Sequence, residues 1–363
     1  MVPDAMQGSG NVTPSTNATP STVQGGVMIH SEGNVTLGTV QGVLNHSEAA
    51  NLHPGLITLP DGNLLASYDS DHTDVFTQLS TDSGRTWSAP VNAYTGPTGS
   101  LDLTNLSMLS FGEVWLTFDE TPAGGLNILM GLSGSLNATD DITWSKQFVV
   151  DYDSSLWPMG CNSGGPAVQL RNGDLLFPAY CGQSLLINYS STVFRSTDSG
   201  TSWTQTIVGN AQIDGRDYDE SALAVMPTGD VVMIMRHTDN LSADTTGTYW
   251  RSVSTDGGLT WSKPVEALNV TDVSRPTLAV IPGGGLVLMG RSSLVDSTGF
   301  ATSWDEGLTF TPMSPLGVTG PGLGIDQYDA MSLLPDQTIA VVTTHGTGFV
   351  NVDYRNLIPP SSQ

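Results

Sequence analysis

Basic residues are scarce in this sequence. Lysine and arginine together number 11 in 363 residues against 35 acidic residues, which gives a formal net charge of −24. Nucleic acids and anionic membrane surfaces are bound through basic patches, so this balance argues against both as partners. The sequence also has no run of about 18 apolar residues, and we therefore expect no membrane insertion.

Recognisable metal and cofactor motifs are missing as well. The sequence contains no H-E-x-x-H pair, no cysteine cluster and no EF-hand loop, which are patterns that commonly mark metal sites. We therefore expect a protein that works without a metal ion or cofactor.

Cysteine is limited to Cys161 and Cys181. They flank a predicted hairpin that turns at Asn172-Gly173, at comparable distances from the turn. A disulfide across the hairpin fits this arrangement in an oxidising compartment. Two buried free thiols fit it equally well, so the sequence leaves both alternatives open.

Asparagine sequons, by contrast, are abundant. Residues 1–25 form a low-complexity Ser/Thr/Pro/Asn segment that lacks the apolar residues for a core, and we interpret it as a glycosylated tether ahead of a domain at 26–363. Nine sequons in an acidic chain favour a secreted glycoprotein, although a chance origin in a Ser/Thr-rich sequence is the alternative. The predicted N-glycosylation sites are Asn11, Asn17, Asn34, Asn45, Asn105, Asn137, Asn188, Asn240 and Asn269.

An eight-residue pattern, Ser-x-Asp-x-Gly-x-Thr/Ser-Trp/Phe, recurs along the chain and is called the Asp box below. Its aspartate accepts hydrogen bonds from the turn, its glycine allows a positive φ and its aromatic residue fills the space beneath, so each copy predicts a turn between two strands. A degraded copy ends at Trp144. The four clear copies are Ser80–Trp87, Ser196–Trp203, Ser254–Trp261 and Ser303–Phe310.

A second repeat consists of two apolar strands joined by a turn, most clearly in 55–68. With the Asp box it defines a four-stranded unit of about 50 to 60 residues that occurs six times, too long for a β-helix turn and too regular for a sandwich. We predict an all-β, six-bladed β-propeller of four-stranded antiparallel blades. The N-terminal strand near 27–40 is expected to complete the last blade and close the ring.

In such a propeller, each blade presents the start of its first strand and the end of its second to the central cavity. Three of the nine arginines, Arg236, Arg275 and Arg291, fall at these positions. Guanidinium groups bind carboxylates through two donors, which indicates an acidic ligand, whereas pairing with neighbouring acidic residues is the alternative. His53 and Asp69 are the corresponding candidate ligand-binding residues of the first unit.

The Asp boxes, the six units and strand openings such as 54–57 and 220–223 resemble the sialidase (neuraminidase) superfamily over about residues 30–355. The resemblance implies an exo-acting glycoside hydrolase with a tyrosine nucleophile, a glutamate that activates it, an aspartate acid/base and three carboxylate-binding arginines. It assigns Tyr328 as the nucleophile, Glu220 as its activating base and Arg236 as a substrate ligand.

The sequence departs from the family pattern at other positions. Leu52 stands where the family has the first arginine of an R-x-P motif, and no third arginine lies near Thr298, a role that Arg275 or Arg291 would take. The loop that should carry the acid/base is short. Asp69, Asp71 and Asp74 are its candidates, none of which matches the family spacing, and we assign Asp71 to this role.

Three functions therefore remain open. Glu220, Arg236 and Tyr328 favour a hydrolase that removes an acidic sugar from a glycan end. Leu52 and the dense sequons favour a non-catalytic sialidase-like propeller, either a secreted glycan-binding protein or a structural extracellular glycoprotein. A lyase that uses Tyr328 and a histidine on an arginine-neutralised uronate is the third. A glycan or acidic carbohydrate is the expected partner in each, and the sequence defines no oligomeric state.

Overall fold

The computed structural model of the chain describes residues 27–29, 33–35, 53–70, 72–96, 99–137, 142–183, 189–238, 247–271, 275–292, 297–315, 328–336, 338–343 and 349–353. These ranges contain 26 β-strands, a four-residue helix, α1 (Ala211–Asp214), and one 3-10 turn (Ser110–Gly112). None of the helices in these ranges is long and apolar enough to span a membrane.

Five antiparallel sheets, called blades I to V, follow one another along the chain. Blade I comprises β3 (Gly55–Thr58), β4 (Leu64–Ser70), β5 (Asp74–Ser80) and β6 (Val91–Thr95). Blade II comprises β7 (Gly99–Met108), β8 (Glu113–Pro122), β9 (Ile128–Leu136) and β10 (Ile142–Val150). Blade III, whose first strand is interrupted, comprises β11 (Cys161–Ser163), β12 (Val168–Gln169), β13 (Leu175–Gly182), β14 (Tyr189–Ser196) and β15 (Thr204–Gly209). Blade IV comprises β16 (Ser221–Val225), β17 (Val231–Thr238), β18 (Gly247–Ser254) and β19 (Val265–Thr271). Blade V comprises β20 (Thr277–Ile281), β21 (Gly285–Ser292), β22 (Ser297–Ser303) and β23 (Ser314–Pro315).

The predicted all-β propeller of four-stranded antiparallel blades is confirmed, but the predicted count of six blades is wrong. The sixth repeat forms a three-stranded sheet of β24 (Asp329–Leu333), β25 (Thr338–Thr343) and β26 (Phe349–Asp353). Its first strand contacts both β3 and β20, so this sheet lies between blades V and I.

The predicted closing strand is also corrected. In place of one strand, the N-terminal region forms two short strands, β1 (Val27–Ile29) and β2 (Gly33–Val35), that pair with each other. Their backbone groups satisfy one another within this hairpin, and the described residues show no ladder between either strand and β26.

The core lies in layers between neighbouring sheets. Each strand places one set of side chains on the adjacent blade, so successive sheets share an apolar cluster. Between blades III and IV, for example, Leu176 and Val193 pack with Val231 and Met233. Similar clusters lie between blades I and II, II and III, and IV and V, and between blade I and the three-stranded sheet.

The Asp boxes form the turns between the third and fourth strands of blades I, III, IV and V. In blade IV the buried Ser254 hydroxyl accepts a hydrogen bond from the Gly258 N–H at 2.7 Å and donates to Asp256 at 2.8 Å. The same carboxylate accepts from the backbone and hydroxyl of Thr260 at 2.9 and 2.5 Å. These turns lie at the outer strands, away from the central ends of the inner strands.

Blade III contains a covalent link between its first two strands. Cys161 and Cys181 are paired residues in the β11–β13 ladder and form a disulfide. Both are fully buried in the apolar cluster between blades II and III. Of the two alternatives, a disulfide or two free thiols, the structure therefore contains the disulfide.

Candidate active site

The inner-strand ends of the sheets meet at the centre of the ring. Glu220 directly precedes β16, and the Arg236 N–H donates to the Glu220 carbonyl at 2.8 Å, which extends the β16–β17 ladder by one pair. Residues opposite one another in an antiparallel ladder place their side chains on the same face. Tyr328 directly precedes β24, so its side chain enters the same region from the three-stranded sheet.

Glu220 is bonded on two sides. Arg236 Nη1 donates to its carboxylate at 2.6 Å, and Tyr328 forms a side-chain hydrogen bond with it. Burial opposes the charge on Glu220, but the Arg236 guanidinium and these hydrogen bonds hold its pKa below the usual value. The Glu220 charge, together with burial, raises the pKa of Tyr328 well above the usual value. The pair is therefore a neutral phenol bonded to a charged carboxylate.

Arg275 approaches Tyr328 from blade V. Its guanidinium carbon lies 5.9 Å from the centroid of the Tyr328 ring. Nε donates to the Gly164 carbonyl at 2.8 Å, and Nη2 donates to the Asn105 side chain. Within the described part of the chain, Nη1 has no hydrogen-bond partner although it is buried. Arg275 is thus held in place by blades II and III, and its Nη1 donor has no acceptor among the described residues.

His53 contacts the other side of the tyrosine. Its ring meets the Tyr328 ring edge-on, with centroids 4.3 Å apart. Nδ1 is bonded to Asp102 and lies 3.7 Å from Asp69, whose other carboxylate oxygen lies 3.4 Å from His72. Burial opposes a charge on the imidazole, but the hydrogen bonds to Asp102 and Asp69 outweigh it and raise the pKa of His53 to about 9.

Further acidic groups lie behind this cluster. Asp119 accepts hydrogen bonds from the Ser163 N–H at 3.1 and 3.0 Å, and burial raises its pKa to about 7. Burial also raises the pKa of Asp219, next to Glu220, to about 8. Tyr180 is influenced by both Glu220 and Tyr328, and its pKa is raised mainly by burial. Burial therefore favours the neutral form of these groups around the charged Glu220–Arg236 pair.

One group of side chains has the spacing of a metal site. A ligand atom from each of His53, Asp69 and Asp102 lies within 4.8 Å of the others. In the structure His53 forms ion pairs with Asp102 and Asp69, and we call the three residues the ion-pair cluster.

Several residues predicted for the site are not placed in it. Asp71 and Leu52 lie outside the described residues. Arg291 belongs to β21, where its backbone pairs with that of Thr298, and its side chain is not described. Of the predicted arginines, the structure brings Arg236 and Arg275 close to Tyr328.

One predicted glycosylation site is corrected. Asn105 is only 3% exposed and its side chain contacts Leu103 and Arg275, which leaves no room for a glycan. Asn137 and Asn269 are exposed, and Asn34 lies in β2. The remaining sequons and the predicted tether at 1–25 lie outside the described residues; these sequons are Asn11, Asn17, Asn45, Asn188 and Asn240.

Asp102 is a site residue that sequence reasoning missed. It lies in β7, where the ladder with β8 shifts register between Asp102 and Asn105 and Leu103 has a positive φ of 53°. This irregularity turns Asp102 towards His53 of the preceding blade. The available signal was the apolar alternation of Leu101 and Leu103, which marks Asp102 as part of a strand.

The comparisons with known proteins agree with this architecture. A family model described as a BNR repeat-like domain matches residues 112–289. A protein of unknown function from Dyadobacter fermentans is 15% identical with a TM-score of 0.68, over 87% of this chain and 98% of that one. No curated protein has a matching sequence.

Two enzymes have the same fold. The intramolecular trans-sialidase from Ruminococcus gnavus is 14% identical with a TM-score of 0.63, over 88% of this chain and 97% of that one. The α-L-arabinofuranosidase from Fusarium graminearum is 12% identical with a TM-score of 0.62, over 92% of this chain and 98% of that one. These comparisons show a β-propeller with BNR-like repeats, a fold that this chain shares with a trans-sialidase and an arabinofuranosidase.

Proposed function

We propose that this protein is an exo-acting glycoside hydrolase that removes an acidic sugar from the end of a glycan. The observation that carries the proposal is the chain of contacts from Arg236 to Glu220 to Tyr328. It supplies a neutral nucleophile with a charged base already bonded to it.

In this reaction, the Tyr328 oxygen attacks the anomeric carbon while its proton passes to Glu220. A phenol that is neutral before attack is not repelled by a carboxylate on the sugar, which is the reason to use tyrosine in place of an acidic residue. Water then releases the sugar from Tyr328, which regains its proton from Glu220. Arg236 stabilises the charge on Glu220 before the proton arrives.

The acidic character of the sugar is inferred from the cations around Tyr328. His53, Arg236 and Arg275 approach it from three different sheets, and Arg275 has an uncommitted donor. A substrate carboxylate would bind the edge of the Arg236 guanidinium, whose side chain is 19% exposed, with the positive charge of the buried Arg275 behind it. We assign the recognition of the sugar to these three cations.

The test is hydrolysis of a fluorogenic sialoside and a panel of uronides by the wild type and Tyr328→Phe. The expected result is turnover of at least one acidic glycoside and its loss by orders of magnitude in the variant. A fluorinated glycosyl fluoride of the best substrate should label Tyr328, as read by peptide mass spectrometry.

The chain offers a matched control. Tyr94 donates to Glu120 at 2.8 Å, a second tyrosine–glutamate pair outside the central cluster, so Tyr94→Phe should leave turnover unchanged. Equal turnover in wild type and Tyr328→Phe would remove Tyr328 from the mechanism. Glycan binding without any turnover would instead favour the non-catalytic propeller, and turnover of an arabinofuranoside alone would refute the acidic substrate.

We also propose that the protein is secreted and N-glycosylated. The buried disulfide supports an oxidising compartment, and Asn137 and Asn269 are exposed, with Asn269 Nδ2 donating to the Phe310 carbonyl at 3.1 Å. Mass analysis of the protein from its native host should find glycans at these two sites and none at Asn105. Unmodified asparagine at both would contradict the proposal.

A further inference from the structure

The proposed hydrolase needs a second group that Tyr328 and Glu220 do not supply. The leaving oxygen of the glycoside must receive a proton when its bond breaks, and the water that releases the sugar must lose one. Such a group has to reach the glycosidic oxygen on the carbon that Tyr328 attacks, hold a proton before the first step and release it during that step. Arg236 and Arg275 contact the right region, but a guanidinium does not release its proton.

Among the described residues that contact Tyr328, His53 meets these requirements by position. The His53 ring packs edge-on against the Tyr328 ring at 4.3 Å between centroids, closer than the guanidinium of Arg275 at 5.9 Å. A sugar bound at the tyrosine hydroxyl therefore lies beside the imidazole. His53 comes from blade I and Tyr328 from the three-stranded sheet, so the two flank one side of the central opening.

The orientation of the imidazole is fixed from behind. Nδ1 is bonded to Asp102 and lies 3.7 Å from Asp69, and the backbone N–H of His53 donates to Asp69 at 3.0 Å. With Nδ1 held by the carboxylates, Nε2 is the ring nitrogen left for proton exchange. A carboxylate that orients one nitrogen and stabilises the imidazolium is the arrangement found where histidine transfers protons.

We propose that His53 is the acid/base catalyst of this site and that Asp102 is its positioning residue. This inference rests on the proposed hydrolase function. In the first step, His53 donates the Nε2 proton to the leaving oxygen as Tyr328 bonds to the anomeric carbon. In the second, water bonds to that carbon, its proton passes to His53, and the bond to Tyr328 breaks. Substrate and water become sugar and alcohol, and every protein group regains its starting proton.

The charges around His53 fit this role. Asp69 and Asp102 face it from blades I and II, and Tyr328 faces it from the three-stranded sheet, with His72 and Arg275 one contact further away. The pKa of His53, raised to about 9, keeps the imidazole protonated at neutral pH, whereas Asp102 remains charged because His53 lowers its pKa. The Asp102 side chain is more exposed than that of His53, but it is ionised at neutral pH and so has no proton to donate.

The experiment compares His53→Gln and Asp102→Asn with the wild type on two glycosides of the same acidic sugar. One has a methylumbelliferyl leaving group, which needs little protonation, and the other has an alkyl leaving group, which needs a proton. His53→Gln should lower kcat on the alkyl glycoside by about 100- to 10,000-fold, with a much smaller loss on the methylumbelliferyl glycoside and little change in KM. His72→Gln is the matched control, because His72 shares Asp69 but contacts Leu101 in place of Tyr328.

The pH profile separates catalysis from support of the fold. In the wild type, kcat/KM on the alkyl glycoside should fall as pH rises through about 9, where His53 of the free enzyme loses its proton. His53→Gln should lack this fall. Asp102→Asn should still show this fall in rate, but at a lower pH, because a neutral partner no longer stabilises the imidazolium. NMR titration of the His53 ring in the wild type gives the same midpoint without turnover.

The outcomes distinguish this inference from the function on which it rests. Equal loss on both leaving groups, an unchanged alkaline limb in His53→Gln or a His53 midpoint below pH 7 would overturn the role of His53 and leave the hydrolase intact. Wild-type protein that cleaves no glycoside would refute the hydrolase and this inference together. If His53→Gln fails to fold, the Asp102→Asn profile and the NMR midpoint decide the question.

Discussion

The Asp boxes and the central cluster use the same carboxylate chemistry in opposite surroundings. In the boxes, Asp198 and Asp256 are exposed, and hydrogen bonds from their own turns lower their pKa to about 2. At the centre, burial raises the pKa of Asp119 to about 7 and of Asp219 to about 8. The boxes therefore stabilise their charge locally, whereas the centre holds charge only where another residue supplies a partner.

The two regions also differ in repetition. The boxes of blades I, III, IV and V make the same serine–aspartate and glycine–serine hydrogen bonds at nearly the same distances. The inner-strand ends are different in every sheet, with His53, Glu220, Arg275 and Tyr328 each occurring once. Features that repeat serve the fold, and those that differ between blades are available for function.

The largest effect on stability is expected at the centre. Arg236→Met removes the partner of a carboxylate that is only 5% exposed, so Glu220 is left charged in a buried place. Breaking such a pair from one side should lower the free energy of unfolding by about 3 to 5 kcal/mol. Urea denaturation at pH 7 measures it.

The matched variant is Arg195→Met, which removes the partner of Asp174 at a turn of blade III. Each carboxylate keeps one donor, Asn172 for Asp174 and Tyr328 for Glu220, but the Asp174 side chain is 11% exposed against 5% for Glu220, so the loss should be smaller. Equal losses of unfolding free energy in the two variants would show that the central ion pair stabilises the fold no more than the pair in blade III.

The next largest effect is expected from the disulfide. Replacing Cys161 and Cys181 together by alanine removes a link between residues 20 apart in sequence and should cost about 2 to 4 kcal/mol. Guanidinium unfolding of the double variant, with the wild type in the presence and absence of a reductant, checks this. A double variant as stable as the oxidised wild type would show that the apolar cluster alone holds the start of blade III.

A smaller effect is expected in the boxes. Ser254→Ala leaves the buried Gly258 N–H without its acceptor and should cost about 1 to 3 kcal/mol. Glycoside turnover at saturating substrate should not change, because the turn lies at the outer strands. Thr255→Ala, at an exposed position of the same turn, should be within about 0.5 kcal/mol of wild type. A loss of turnover without a loss of stability would contradict the separation of the two regions.

This difference also explains what the sequence could predict. An Asp box is complete within eight residues, so its turn is evident from local pattern alone, and four copies were enough to predict a propeller. The sixth repeat lacks a box. No box therefore indicates whether a fourth strand joins β26, and the two described N-terminal strands pair with each other.

The centre was only partly predictable for the same reason. Glu220, Arg236 and Tyr328 were found through the family resemblance, and the structure places them in contact. The bond between His53 and Asp102 joins two blades and depends on a register shift in β7. Sequence spacing does not predict such a shift, so Asp102 was not identified as a site residue.

The sharpest test of the comparison comes from two aspartate-to-asparagine variants followed by thermal melting from pH 3 to 9. In Asp219 the folded pKa, about 8, lies above the usual 3.8, so between these values the folded protein holds a proton that the unfolded chain has lost. Wild-type stability from this group therefore falls as pH rises from about 4 to 8. Asp219→Asn should match the wild type near pH 4 and become progressively more stable than it towards pH 9.

In Asp198 the folded pKa, about 2, lies below 3.8, so its stabilising contribution is present at neutral pH and is lost as pH falls towards 2. Asp198→Asn should therefore be less stable than the wild type at pH 7, by an amount that shrinks on acidification. Two variants with the same sign of pH dependence would refute the view that burial governs the central carboxylates and turn hydrogen bonds govern those of the boxes.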